Sequence, residues 1–189
     1  MTLAFVSLFA IFTGYAILRP LRDSMVLVGG IDTHSTQLSG LIGWTFVGML
    51  VAMPLYGWVA SRFERRVFLP AVYIFIILNL LVFYALLSAH PDSASVARAF
   101  YVWLSVVNLF VISVFWSLMV DLFDREQASR IFGFIAAGAS AGSILGPTLT
   151  DRLVASLGNA NLLLVAAGFW TLAIIVMMRL LRRFNQSVA

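Results

Sequence analysis

The amino-acid sequence predicts an all-α membrane protein, a bundle of about six transmembrane helices. Three observations carry this expectation. Hydrophobic residues make up 62% of the chain and charged residues 11%, against roughly 45–50% and about 25% in a soluble globular domain. The apolar residues also come in blocks, since Val67 to Ser88, Ala99 to Val120, Ile131 to Thr150 and Leu153 to Met178 carry no charge. Each block is close to the ~20 residues that a helix needs to cross the hydrocarbon layer. Finally, these runs are continuously apolar, whereas the strands of membrane barrels read as short alternating segments.

Helix 1 is expected over about 3–28. It opens in the apolar run Thr2 to Leu18, passes through the polar segment Arg19 to Asp23 and stops at Gly29 and Gly30. The run has no basic residue before it and no small-residue cleavage site after it, so it reads as a retained helix and not as a signal peptide. Helices 2 to 6 follow over about 35–60, 68–88, 98–122, 128–149 and 160–178. The connections between them are short, and no linker or shift in composition divides 1–189, so the chain reads as a single transmembrane domain.

There is no cysteine, which excludes a disulfide framework and a thiolate metal site. A histidine and carboxylate cluster inside the apolar runs is also missing, so neither a metal nor another cofactor is expected. Lysine is absent as well, and the net charge of +4 is carried by 12 arginines. In a membrane protein such an excess orients the chain in the bilayer and implies no nucleic-acid partner. With a cytoplasmic N-terminus, Arg62, Arg65, Arg66, Arg125, Arg130, Arg179, Arg182 and Arg183 fall inside and only Arg98 and Arg152 outside. Both termini are therefore expected in the cytoplasm.

Arg19, Arg22 and Asp23 belong to neither group, because they lie in or at the outer part of helix 1, next to Pro20. Spacings of three and four residues put Arg22 and Asp23 on the same side as Arg19. One reading ends helix 1 near Leu18 and lets both arginines snorkel to the outer headgroups. That would oppose the orientation rule and leave helix 1 short. The other reading is a cavity-facing cluster, since charges within a membrane domain usually line an aqueous path. Two guanidiniums against one carboxylate make a net positive site, suited to a carboxylate or phosphate through forked hydrogen bonds. The implied solute is a small anion.

Helix 5 contains Gly138, Gly142 and Gly146, followed by Pro147. A spacing of four residues sets the glycines nearly on one face, where another helix backbone can come close. Static packing and a part in conformational change are both compatible with this pattern. At the start of the same helix, Glu126 and Arg130 form a possible i,i+4 charge pair on the cytoplasmic side, and Asp124 and Glu126 suit the helix dipole.

Between helices 2 and 3 the chain runs from Gly57 through Ser61, Arg62 and Glu64 to Arg65 and Arg66. This segment resembles the signature of the major facilitator superfamily: a glycine, a helix end, an acidic residue, arginine, glycine and two basic residues. Ser61 stands where the acidic residue is expected and Glu64 where the second glycine is. The resemblance implies that Gly57 permits close helix packing and that Arg62, Arg65 and Arg66 help lock a cytoplasmic gate. The spacing of Gly133, Gly142, Gly146 and Pro147 is similar to the fifth-helix motif of antiporters in that superfamily, with Thr150 and Asp151 replacing its terminal glycine pair. The segment from Leu18 to Asp23, together with the run from Glu126 to Arg130, resembles bacterial relatives of the ATP/ADP nucleotide exchange transporters, with Arg22 replacing a lysine.

These resemblances imply a secondary carrier working by alternating access, driven by ion or substrate exchange, in a bacterial inner membrane. No Walker-type phosphate loop is present for ATP hydrolysis. The implied cargo is an anionic solute such as a nucleotide, a phosphorylated compound or an organic acid. Carriers of this kind place the site between two six-helix halves. The chain is then expected to meet the lipid bilayer and a second half, supplied by the same gene, a separate chain or a homodimer. A truncated fragment and a non-transporting structural or assembly subunit are the alternatives. An intramembrane serine protease is a further one, because Ser140 sits between Gly138 and Gly142. It lacks a general base, since His34 and His90 are assigned to outer ends or loops.

Overall fold

The computed structural model describes residues 1–28, 36–62, 65–123 and 125–188. Among them every regular element is a helix: α1 (Thr2–Val28), α2 (Thr36–Arg62), α3 (Arg65–Ala89), α4 (Ala94–Leu122) and a last helical run, Arg125–Val188. That run is interrupted at Gly158, where φ is 78° and ψ is 165°, a conformation open to glycine at no steric cost. The two parts are α5 (125–157) and α6 (159–188). The described residues therefore form an all-helical bundle whose apolar stretches Thr2–Met25, Phe68–Ala89, Ala94–Leu122 and Ile131–Arg183 are long enough to cross a membrane. The apolar part of α2, Gly40–Leu55, is shorter.

Four elements differ from the expected bounds: α6 runs on past 178 through Arg179, Arg182 and Arg183 to 188, and α3, α4 and α5 differ for local reasons. α3 begins at Arg65 and not near 68, since a charged first turn can be helical without being apolar. α4 begins at Ala94 and not near 98. Ser93 caps it, with its side chain accepting from the Val96 N–H, which satisfies one of the donors a helix start leaves open. α5 continues past 149 through Asp151 and Arg152, as far as the break at Gly158. α1 continues through Pro20 to Val28 although Pro20 offers no N–H to the carbonyl of Ala16.

Contacts along the helices give their directions. Phe5 and Phe9 of α1 meet Gly138 and Gly142, and Ala16 meets Gly146, so α1 and α5 run parallel. Gly14 lies against Ala166 and Trp170 while the Trp170 indole donates to the Ile11 carbonyl at 3.2 Å, so α6 runs the other way. The turn from Ala89 to Ala94 makes α3 and α4 an antiparallel pair, held by Phe83 against Phe100 and Trp103 and by the Tyr73 hydroxyl donating to the Val111 carbonyl. The core runs between α1, α3, α4, α5 and α6, with Trp170, Tyr73, Phe100 and Phe115 as its largest fully buried side chains. α2 stands at the edge. Trp44, Phe46, Leu50 and Trp58 are each more than half exposed, an apolar surface that suits lipid or another protein and not water.

Candidate functional site

α1 and α4 meet at a polar contact. The Arg22 guanidinium, only 14% exposed, bonds from Nε and Nη2 to Asp23 Oδ1 at 2.9 and 2.8 Å. Its Nη1 donates to Ser105 Oγ at 3.1 Å, and its carbon centre lies 4.5 Å from the centre of the Tyr101 ring. Ser105 in turn donates its hydroxyl to the Tyr101 carbonyl one turn earlier, at 2.8 Å. Each of these partners suits a cation: a carboxylate, a hydroxyl lone pair and the negative face of an aromatic ring. Together they fix the plane of the fork.

A guanidinium has five N–H donors, and the contacts to Asp23 and Ser105 use three. One donor on each Nη stays available, and a carboxylate or phosphate takes such a pair as a bidentate ligand. Arg19 is exposed on the same helix, one turn earlier, and makes no ion pair among the described residues. Asp23 is 54% exposed. Arg19, Arg22 and Asp23 thus sit on one stretch of α1 with a net charge of +1, two guanidiniums less one carboxylate.

The second group of singled-out residues forms the seam between α1 and α5. A methyl group added at Gly138 would lie 2.7 Å from the Phe5 carbonyl oxygen, and one at Gly142 would lie 2.6 Å from that of Phe9 and 2.9 Å from the Thr13 nitrogen. At Gly146 it would collide with Ala16. The partner at these points is mostly backbone, which cannot rotate away. Thr150, one turn beyond Gly146, donates its buried hydroxyl to the Gly146 carbonyl at 3.1 Å and lies 3.4 Å from the Ile17 carbonyl. Pro147 is exposed on the other side of α5.

The remaining candidates do not join either group. Gly57 is exposed, and a methyl group there would meet no described atom within 4 Å. The close packing expected at Gly57 is not seen among the described residues. Arg62 is exposed and lies 5.5 Å over the Trp58 ring. The side chains of Arg65, Arg66, Glu126 and Arg130 fall outside the described residues. Ser140 is exposed on α5, and His90 lies in the α3–α4 turn. No group of acidic and histidine side chains that could hold a metal occurs among the described residues.

Sequence reading missed Tyr101 and Ser105 as partners of Arg22, and Gly14 as the seat of Trp170. A polar pair spaced by four in an apolar helix was a usable signal for Tyr101 and Ser105. Nothing local pointed to Gly14, because its partner is on α6.

Comparison with known proteins gives a consistent picture. The model of the Major Facilitator Superfamily matches residues 4–187. A triacylglyceride transporter of Mycobacteroides abscessus is 25% identical over 133 residues, which is 70% of this chain and 25% of the relative. A triacylglyceride transporter of Mycobacterium tuberculosis shows the same identity and coverage. The chain spans about a quarter of the length of these curated relatives. No solved structure matches it.

Proposed function

This chain belongs to the major facilitator superfamily, and on that premise we propose that it is one six-helix half of a secondary carrier that moves a small anionic solute by alternating access. Membership puts it among membrane transporters and not among enzymes. The observation that carries the solute class is the Arg22 guanidinium, held at the α1–α4 contact by Asp23, Ser105 and Tyr101 with two donors to spare. Arg22 binds the anion through its fork, Arg19 adds a second positive charge, and Asp23 orients Arg22 while keeping the empty site from being doubly positive. A nucleotide, a phosphate ester and an organic acid all present the required planar or tetrahedral anion.

The α1–α5 seam supports a division of labour. Close contacts at Gly138, Gly142 and Gly146 make α1 and α5 one rigid piece, to which Trp170 against Gly14 adds α6, so the site moves with them against a second half that is expected to complete the cavity. That second half comes from the same gene, a separate chain or a second copy. The arginine distribution supports cytoplasmic termini, and the resemblance of the segment Leu18 to Asp23 to nucleotide exchangers supports an exchange mechanism in a bacterial inner membrane. The names of the mycobacterial relatives favour a second reading, in which the cargo is a triacylglyceride.

Counterflow in proteoliposomes discriminates these readings. Labelled nucleotides, phosphate esters, organic acids and triacylglycerides are offered to the natural protein and to Arg22→Gln. Hydrogen bonds to charged groups contribute roughly 1.5–3 kcal/mol, so Arg22→Gln is expected to weaken anion uptake about tenfold to a hundredfold. Arg22→Lys, which keeps the charge and loses the fork, should fall between. Equal anion uptake by all three proteins removes Arg22 from the mechanism, and triacylglyceride movement indifferent to Arg22 favours the second reading.

A further inference from the structure

Asn108 is the middle residue of α4 and lies within its apolar span. Its side chain is half-buried. Asn79 and Asn161 show how a helix of this bundle satisfies such an amide: each donates to the carbonyl four residues earlier, that of Phe75 at 2.8 Å and that of Leu157 at 2.7 Å. Asn108 has the Leu104 carbonyl in the same place, yet its amide makes no hydrogen bond with any described residue. An amide without a partner is costly in hydrocarbon, so this one has to meet water, a ligand or another protein.

Its place on α4 selects among these. Asn108 follows Ser105 by three residues and Tyr101 by seven, spacings that set all three on one face of the helix. Ser105 and Tyr101 are the residues that hold Arg22. In the first turns of α3, Leu69 and Tyr73 adjoin Ile174 and Met177 towards the end of α6. Since α6 runs against α1, α3 runs with α1, and α4 runs against it. Arg19 comes three residues before Arg22 on α1, and Asn108 three residues after Ser105 on α4. Both therefore lie about 4.5 Å deeper than the Arg22–Ser105 contact, at the same level on neighbouring helices. An anion on the spare donors of Arg22 thus has a free amide about one turn away, on the wall that holds Arg22.

We propose, on the anion-binding reading of Arg22, that Asn108 is a specificity residue that binds an uncharged polar group of the solute, about 5 Å from the anionic group on Arg22. A carboxamide both donates and accepts. It therefore matches a hydroxyl, an amide or the edge of a heterocyclic base and gives nothing to a methyl group. The solute class narrows to a polar anion, such as a hydroxy acid, a sugar phosphate or a nucleotide, and leaves out alkyl carboxylates and alkyl phosphates.

Two pairs of probes matched in charge and shape test it: 4-hydroxybutyrate against pentanoate, and 2-hydroxyethyl phosphate against propyl phosphate. Each pair exchanges a terminal hydroxyl for a methyl group. Binding to the full chain in lipid nanodiscs is measured by isothermal titration calorimetry. In the pair that binds more tightly, the ratio of hydroxyl to methyl affinity is expected to fall about threefold to tenfold in Asn108→Leu, the effect of one neutral hydrogen bond, while the methyl probe binds as before. Asn108→Gln, which keeps the amide, should retain part of the ratio. Arg22→Gln separates the two levels of the account. If no probe binds the natural protein, or Arg22→Gln leaves every affinity unchanged, the anion-binding reading fails and the role of Asn108 with it. If Arg22→Gln weakens binding but the ratio is the same in the natural protein and Asn108→Leu, the role of Asn108 alone is overturned. Weakening of both probes by an equal factor in Asn108→Leu gives that result, and marks a contact with a second half instead of the solute.

Discussion

The α1–α5 and α2–α4 contacts are both parallel helix pairs containing glycine, and they are packed quite differently. On α5, Gly138, Gly142 and Gly146 repeat every four residues and meet α1 at Phe5, at Phe9 and Thr13, and at Ala16. On α2, Gly40, Gly43, Gly48 and Gly57 have no common period. Gly48 meets valine side chains of α4, and the other three meet nothing within 4 Å among the described residues. In a bilayer there is no hydrophobic drive between helices, so association rests on close packing and polar contacts. A periodic row of small residues creates a flat stripe along which two backbones can lie, and scattered glycines do not. One side of the bundle is therefore a solid piece, and the other leaves clefts beside α2.

The largest effect that could break this comparison is at Gly142. Because a single methyl group there would come within 2.6 Å of a carbonyl oxygen, Gly142→Leu should leave no folded protein, and Gly142→Ala should destabilise by about 1–3 kcal/mol. Unfolding in detergent followed by circular dichroism measures both, and a stable, transport-competent Gly142→Leu protein would mean that the seam is not closely packed. Next comes Trp170, which is buried to 1% exposure in the seat left by Gly14 and bonded to the Ile11 carbonyl. Trp170→Ala should cost about 3–5 kcal/mol, and Trp170→Phe, which loses the N–H, about 1 kcal/mol from that bond. The smallest effect is at Gly57. With open space around its Cα and a position inside α2, Gly57→Ala should stabilise the isolated chain by up to about 1 kcal/mol through helix propensity. A large loss of stability there would show a close contact on α2 that this bundle does not contain.

The solid side was the legible side. The row at Gly138, Gly142 and Gly146 declares its own periodicity, so a close helix contact could be read from α5 alone, although not that α1 is the partner. The charge of the segment Arg19 to Asp23 was equally plain, but what holds Arg22 was not. Tyr101 and Ser105 lie some 80 positions away, and only the packing of α1 on α4 brings them together. Helix ends were read from hydropathy, which follows the membrane and not the helix. The charged first turn of α3 and the polar last turns of α5 were therefore missed, and the first turn of α4 was missed because the Ser93 cap, not hydropathy, sets its start. The openness around α2 left no trace in composition, since Trp44, Phe46 and Leu50 are as apolar as buried residues while facing outward.

The absence of cysteine from the chain allows one direct test of the claim that Arg22 lines an aqueous site for an anion. Ser105→Cys puts a single thiol at the position that accepts from Arg22, and its modification by a charged, membrane-impermeant thiosulfonate is followed in proteoliposomes. The prediction is that the thiol reacts with the charged reagent and that the anion transported best slows the reaction in a saturable way. A thiol open to an apolar maleimide but closed to the charged reagent, or a rate that no anion alters, would contradict the account.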